Sequence, residues 1–301
     1  MSAQVKFRVS RETLTLWPAR YRLQALPLEQ ATMSYRIPKR IIQTGKQTEQ
    51  KLPIRAFMAS ARLLNPDFEY LFFDDKQVEE FIAQEFPEYR PVFESFEVPI
   101  QRYDFFRYLA IYHYGGFYLD LDVLLGSGLS TLLERGCVFP FERLTFSHRL
   151  RTEFGMDWEI GNYAFGAAAG HPFLGAIIKN CVRAQTDPLW VKSMMRGTPP
   201  FDKDLYSVFY STGPGLCSCT LAENPELAKT VTVLFPDDLC NVRNWYHFGE
   251  YGVHVMNSSW RPRRGFVTGR LGYFHWRWME RRLLKKSRAL ARSRRHPVDD
   301  K

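Results

Sequence analysis

The sequence predicts an α/β fold, and three observations carry the prediction. Short apolar, β-branched or aromatic runs alternate with stretches of helical periodicity from residue 36 onward, which is the pattern of layered helices on a sheet. One segment, 99–125, reads as helix, glycine corner and strand in direct succession. The 301 residues have an apolar fraction of 45% and 24% charged residues, enough for a large core and too little charge for a disordered chain.

Taken in order, residues 1–35 are weakly patterned and form an N-terminal extension. Arg36 to Gly45 contains the run Ile41-Ile42 and ends at a glycine, a buried strand entering a loop. Residues 53–64 are helical, Asn65-Pro66-Asp67 turns, Phe68 to Phe73 is a second strand, and Asp74-Asp75 opens a helix over about 76–86. From Pro99, the apolar residues Tyr103, Phe106, Ala110 and Tyr114 recur at helical spacing until Gly115-Gly116 stops the helix. Phe117 to Leu125 reads as one strand. Ile160 to Ala169 is strand and loop, Pro172 to Gln185 a helix, and 187–204 a loop region broken by Pro and Gly. Ser211 to Gly215 is a turn that opens a helix near 217–223, and Val231 to Phe235 is a short strand. The domain expected from this reading is 36–260, followed by a basic segment, 261–301.

The net charge of +9 belongs to that last segment. It holds 14 Lys/Arg against three Asp/Glu, whereas residues 1–260 hold 27 against 29. A basic C-terminal helix over 275–293, with Trp276, Met279, Leu283 and Leu290 near one face, suits an anionic membrane surface, and a solvated helix or tail suits it equally. No folded motif points to specific nucleic-acid binding. The five cysteines are odd in number and irregular in spacing, which points to reduced thiols. The first ten residues lack the apolar run of a signal peptide, and no stretch reaches the ~20 apolar residues of a membrane span. A cytoplasmic protein, peripheral on a membrane at most, is expected.

Chemistry concentrates around the glycine corner. On a strand, Asp120 and Asp122 would share one face, with Leu119, Leu121 and Val123 on the other. Two adjacent carboxylates repel, and a hard divalent cation, Mg²⁺ or Mn²⁺, relieves the repulsion and can neutralise a departing diphosphate. Asp104 and Arg107 stand three apart on the preceding helix. They read either as a surface ion pair or as a ribose-binding carboxylate beside a phosphate-binding guanidinium. His254 could supply a third metal ligand, and Trp260 could pack on a sugar face; for both, the structural reading stands alongside.

The runs Ile100 to Tyr108 and Tyr114 to Val123 closely resemble the DXD-motif glycosyltransferases of family 32, which are related to the catalytic domains of clostridial glucosylating toxins. The likeness continues through Ile37 to Thr44, Asn65 to Tyr70, Gly161-Asn162, Gly170 to Phe173, Thr212-Gly213-Pro214, His254 and Ser259-Trp260, in order over about 36–260. The resemblance implies a GT-A fold, Rossmann-like and nucleotide-sugar-binding, as a single domain with helical additions. It implies a nucleotide-sugar donor, UDP- or GDP-linked, and transfer with retention. Its implied donor contacts are Gln43, Thr44, Asp104, Arg107, Tyr118, Asp120, Asn162, Ser259 and Trp260. Asp120, Asp122 and Arg107 would be catalytic, and Asp122, Asp120 and His254 would hold Mn²⁺ or Mg²⁺. The family's tryptophan after Gln43-Thr44 is replaced by Gly45. The expected acceptor is a saccharide or lipid-linked glycan, as in bacterial surface polysaccharide synthesis. The alternatives are a toxin-like effector that glycosylates a protein and a non-catalytic nucleotide-sugar-binding scaffold.

Overall fold

The computed structural model describes residues 35–255 apart from 200–202, 237 and 240. Ser259, Trp260, the basic segment 261–301 and all of the N-terminal extension but Tyr35 lie outside the described residues.

β1 (Arg40–Thr44) buries four successive residues, as a central strand must. α1 (Leu52–Leu64) follows, and then β2 (Glu69–Phe73), which pairs parallel with β1. Asp74 starts α2 (Asp75–Glu85) with a reciprocal cap: its carboxylate accepts from the Gln77 N–H, and the Gln77 side chain accepts from the Asp74 N–H. α3 (Arg90–Ser95) leads into α4 (Pro99–Tyr114), which is buried without a break from Asp104 to Ile111. The expected corner ends α4: Gly115 has φ 64° and Gly116 φ 107°. A Cβ at Gly116 would lie 2.7 Å from the Arg40 carbonyl oxygen, so glycine is required on two counts.

Here the structure departs from the expected strand over 117–125. β3 (Gly116–Leu119) stops at Leu119, Asp120 to Asp122 form a turn, and β4 (Val123–Leu125) belongs to a different sheet. The Val123 N–H bonds to the Asp120 carbonyl at 3.0 Å and closes the turn. Asp120 and Asp122 are therefore brought together by a turn and not by the alternation of a strand. Extending β3 inside the sheet would bury the aspartates without solvent, and leaving the sheet avoids that cost.

β5 (Cys137–Leu144), α5 (His148–Glu153), β6 (Trp158–Ile160) and β7 (Ala164–Ala167) follow, then α6 (Pro172–Thr186). Within the expected loop 187–204 the structure has a helix, α7 (Pro188–Met194). Asp187 caps it by accepting from the Trp190 N–H at 3.0 Å, Pro188 fits the first turn, and Trp190, Val191 and Met194 are buried. α8 (Lys203–Ser211), α9 (Pro214–Glu223), α10 (Pro225–Ala228), β8 (Thr232–Leu234), β9 (His247–Phe248) and β10 (Gly252–His254) complete the described chain.

The main sheet has seven strands in the order β2-β1-β3-β7-β5-β6, with β8 also on β5. β1 is parallel to β2 and β3, β5 is parallel to β8, and β7 is antiparallel to both β3 and β5. β1, β2, β3, β5 and β8 therefore run the same way, and their carboxyl ends form one edge. The small sheet, β4-β10-β9, is antiparallel. The two faces of β3 separate two cores. Tyr118 joins the helical core with Phe105, Phe106 and Phe165, while Phe117 and Leu119 join Val123, Leu125 and Phe248 under the small sheet. This mixed α/β architecture is the expected class. Among the described residues no helix is long and apolar enough to cross a membrane, and Cys137, Cys181, Cys217 and Cys219 are free, buried thiols.

Candidate active site

A helix segment buried without a break should carry no unpaired charge, and the stretch Asp104 to Ile111 of α4 carries two charges, paired with each other. Asp104 and Arg107 are 4% and 3% exposed. Their ion pair, Arg107 Nη2 to Asp104 Oδ1, measures 3.1 Å. Asp104 also accepts from Asn162 Nδ2 at 3.1 Å and from Thr212 Oγ1 at 2.9 Å. Burial pushes the Asp104 carboxyl up to about 6, against the Arg107 charge and these two donors. Of the two readings open in the sequence, the surface ion pair is excluded by this burial.

Arg107 reaches past Asp104 to the turn. Nη2 lies 3.2 Å from Asp120 Oδ1, and Nη1 donates to the Asn162 carbonyl at 2.8 Å. The guanidinium sits 4.6 Å from the centre of the Tyr118 ring. Burial opposes its charge, but the carboxylates and ring oxygens around it prevail and raise its pKa. The Tyr118 hydroxyl donates to Asp120 Oδ1 at 3.1 Å and lies 3.0 Å from Thr44 Oγ1. Gln43 is fully engaged: its Nε2 donates to the Leu119 carbonyl at 3.3 Å, and its Oε1 accepts from the Tyr70 hydroxyl at 2.5 Å. Thus Gln43, Thr44, Tyr118 and Arg107 all fix the Asp120 end of the turn. Burial also raises the Asp120 pKa, with Arg107 opposing.

The other end of the turn faces the small sheet. The Val255 N–H bonds to the Asp122 carbonyl at 2.9 Å, and His254 Nε2 lies 3.1 Å from Asp122 Oδ1. The His254 ring stacks on Tyr163 with centroids 4.5 Å apart and planes 15° from parallel. Burial pulls the imidazole pKa down, but the Asp122 hydrogen bond and the nearby carboxylates outweigh it, and the net direction is up.

Ligand atoms of Asp120, Asp122 and His254 lie within 4.8 Å of one another. Two carboxylate oxygens and an imidazole nitrogen fit a divalent cation in their chemistry. The aspartates already have cationic partners in Arg107 and His254, so an ion at this place would exchange with a proton on His254.

The structure thus gathers Gln43, Thr44, Asp104, Arg107, Tyr118, Asp120, Asp122, Asn162 and His254 at the carboxyl edge of the sheet. Ser259 and Trp260 fall outside the described residues. Sequence reasoning gave no role to Thr212 or Tyr108. Thr212 stands in the quoted Thr-Gly-Pro motif and holds Asp104, and the Tyr108 hydroxyl accepts from Asn162 Nδ2 at 2.7 Å and donates to the Thr212 carbonyl at 2.7 Å. Glu142 and Tyr163 were also passed over. Nothing in their local sequence marks them, because strand pairing alone brings them here.

An edge that sets paired aspartates and a histidine beside a buried guanidinium belongs to the class of sites suited to a phosphorylated, metal-accompanied ligand. Residues 54–138, which include Asp104, Arg107, Asp120 and Asp122, match the family described as "Glycosyltransferase sugar-binding region containing DXD motif". The chain is similar to inositol phosphoceramide mannosyltransferase 3 of Schizosaccharomyces pombe, 32% identical over 185 residues, which cover 61% of this chain and 44% of the relative. A glycosyltransferase of Acanthamoeba polyphaga mimivirus is 28% identical over 233 residues, 75% of this chain and 84% of that protein. Among solved structures, the PaToxG glycosyltransferase overlaps 65% of this chain and 76% of its own with a TM-score of 0.40 and 15% identity. The chain spans less than half the length of the yeast relative it matches.

Proposed function

We propose that the chain is a glycosyltransferase with a GT-A-type domain over 36–260 that moves a sugar from a nucleotide-sugar donor. One observation carries this reading. The Asp120–Asp122 turn of a DXD-family segment stands at the carboxyl edge of the sheet, with His254 on one side and the buried Arg107 on the other. Mn²⁺ or Mg²⁺ held by Asp122, Asp120 and His254 would supply Lewis-acid neutralisation of the donor's diphosphate.

The chain's own groups do the rest. Arg107 places a permanent positive charge beside the turn, in a buried setting where charge acts strongly. Asp104 and Asn162 orient that guanidinium, and a ribose hydroxyl reaching Asp104 would share its Oδ2 with Thr212. Tyr118 and Gln43 hold the Asp120 end fixed, so little reorganisation accompanies charge development. Retention of anomeric configuration follows from the family resemblance.

The relatives' names refine the acceptor. Inositol phosphoceramide mannosyltransferases act, by name, with mannose on an inositol phospholipid. We take a mannosyl donor and a glycolipid acceptor as the leading pair; bacterial surface polysaccharide draws no support from these relatives. The basic segment 261–301 would bring the enzyme to an anionic membrane carrying such an acceptor.

The test is a donor screen with GDP-mannose and UDP-sugars, with Mn²⁺ and with EDTA, using inositol phosphoceramide vesicles as acceptor. Metal-dependent turnover of one donor is expected. Absence of both turnover and nucleotide-sugar binding across the panel would overturn the reading.

A further inference from the structure

Strand register brings one more carboxylate to this edge. Phe117 of β3 and Val138 of β5 both pair with Gly166 of β7. Counting onward, Pro140 is level with Leu119, the last residue of β3 before the Asp120–Asp122 turn. Glu142 follows within β5, at the register shift between Phe141 and Arg143 in the pairing with β6, where the charges of Asp120 and His254 act on it. Its neighbour Arg143 serves a different purpose, bonding through Nε to the buried Glu159 at 2.7 Å.

Among the described residues, Glu142 Oε2 is buried and has no hydrogen-bond partner. The other carboxylates around it are engaged: Glu159 accepts from Arg143, Thr145 and Tyr210, and Asp120 accepts from Tyr118 and pairs with Arg107. An acceptor left alone in this way is costly unless a ligand supplies the donor. Burial raises the Glu142 pKa to about 7, with His254 and Arg143 opposing. Two more orphaned polar atoms lie close by. Among the described residues neither the Tyr163 hydroxyl nor His254 Nδ1 has a partner, and these two rings are stacked on each other. Gly161 makes room for the Glu142 and Tyr163 side chains. A Cβ there would stand 2.6 Å from Glu142 Oε2 and 2.7 Å from the Tyr163 ring.

We propose that Glu142 is a substrate-binding residue, its carboxylate accepting a hydrogen bond from a sugar hydroxyl next to the Asp120–Asp122 turn. The inference rests on the glycosyltransferase reading above. A hydroxyl-rich ligand offers several donors in a small volume, and a buried acceptor flanked by an aromatic hydroxyl suits it. The hydroxyl comes either from the sugar being transferred or from the acceptor, and the experiment separates the two.

The experiment compares Glu142→Gln and Glu142→Ala with wild type in four measurements: nucleoside diphosphate affinity, Mn²⁺ half-saturation, donor hydrolysis without acceptor, and transfer. For Glu142→Ala a loss of tenfold or more in transfer kcat/KM is expected, with nucleoside diphosphate affinity and Mn²⁺ half-saturation within twofold. Loss of hydrolysis and transfer together assigns the hydroxyl to the donor sugar; loss of transfer alone assigns it to the acceptor. Transfer within twofold of wild type overturns the proposal. So does a loss that tracks a shifted Mn²⁺ half-saturation, which would place Glu142 behind His254 as a support. If neither variant folds, the carboxylate serves the fold and the proposal fails. A wild-type chain that turns over no donor removes the glycosyltransferase reading and this inference with it, whereas an active wild type beside unaltered variants removes this inference alone.

Discussion

The two ends of the Asp120–Asp122 turn lie in contrasting surroundings. On the α4 side, Asp104, Arg107 and Asn162 are each less than a tenth exposed and form a network through Thr212, Tyr108 and Tyr118. On the small-sheet side, the Asp122 and His254 side chains are 16% and 18% exposed, and their ion pair depends on the protonation of an imidazole. The first region neutralises its charge with a guanidinium that never releases its proton. The second does so with an imidazole, which titrates in the ordinary pH range. The lesson is a division of labour across three residues: one carboxylate is held by a permanent charge, the other by a titratable one.

The sharpest way to break that contrast is at its buried cation. Arg107→Ala strands the buried Asp104 carboxylate, takes the cation from Asp120, and should cost about 3–5 kcal/mol of stability. Denaturant titration reads this directly, and a variant within about 1 kcal/mol of wild type would show that the network is not structural. Next comes Asp122→Ala, which should lower transfer by about 10²–10³-fold while the denaturation midpoint stays close to wild type. Loss of fold and activity together would mean that the two ends are not distinct.

Asp104 tests the sign of its buried environment. Its folded pKa of about 6 is above the ordinary 3.8, so its titration favours folding fully below the lower value and loses that contribution as pH rises through the upper one. Asp104→Asn does not titrate. The stability of wild type relative to this variant should therefore fall between pH 4 and pH 7, by about 3 kcal/mol for a shift of this size. Melting curves across that range decide it; a difference that grows with pH would show that Arg107 outweighs burial. The smallest effect belongs to Tyr118→Phe, which removes the hydroxyl between Thr44 and Asp120 and should cost about 1 kcal/mol. That cost should appear as a severalfold drop in kcat with little change in stability.

Much of this site was legible because it is local. The spacing of Asp104 and Arg107 on one helix, the Gly115-Gly116 corner and the Asp-Leu-Asp segment beyond it are neighbours in sequence, and simple periodicity places them. The expected strand across 117–125 failed for a non-local reason. Apolar Leu119, Leu121 and Val123 look alike in sequence, but β3 pairs with β1 and β7 whereas β4 pairs with β10, more than a hundred residues on. Glu142 was illegible on the same grounds, since only the pairing of β5 with β7 carries it to the edge. α7 was missed differently. Its signals, Asp187 as cap and Pro188 in the first turn, were present, and the Pro and Gly around them drew the reading toward a loop.

The absence of a side chain at position 45 bears on how such a chain can change over time. A Cβ on Gly45 would fall 2.9 Å from Leu121, between the two aspartates, and 3.1 Å from Phe72. The volume that a bulky residue would need after Thr44 is already filled from the turn. Positions 45 and 121 thus share one space, and their substitutions are bound to be epistatic. Enlarging residue 45 alone would displace the turn with both its carboxylates, while trimming Leu121 alone would leave a void beneath it. A lineage passing between the two arrangements must change both positions nearly together, or cross an intermediate whose aspartates are out of place.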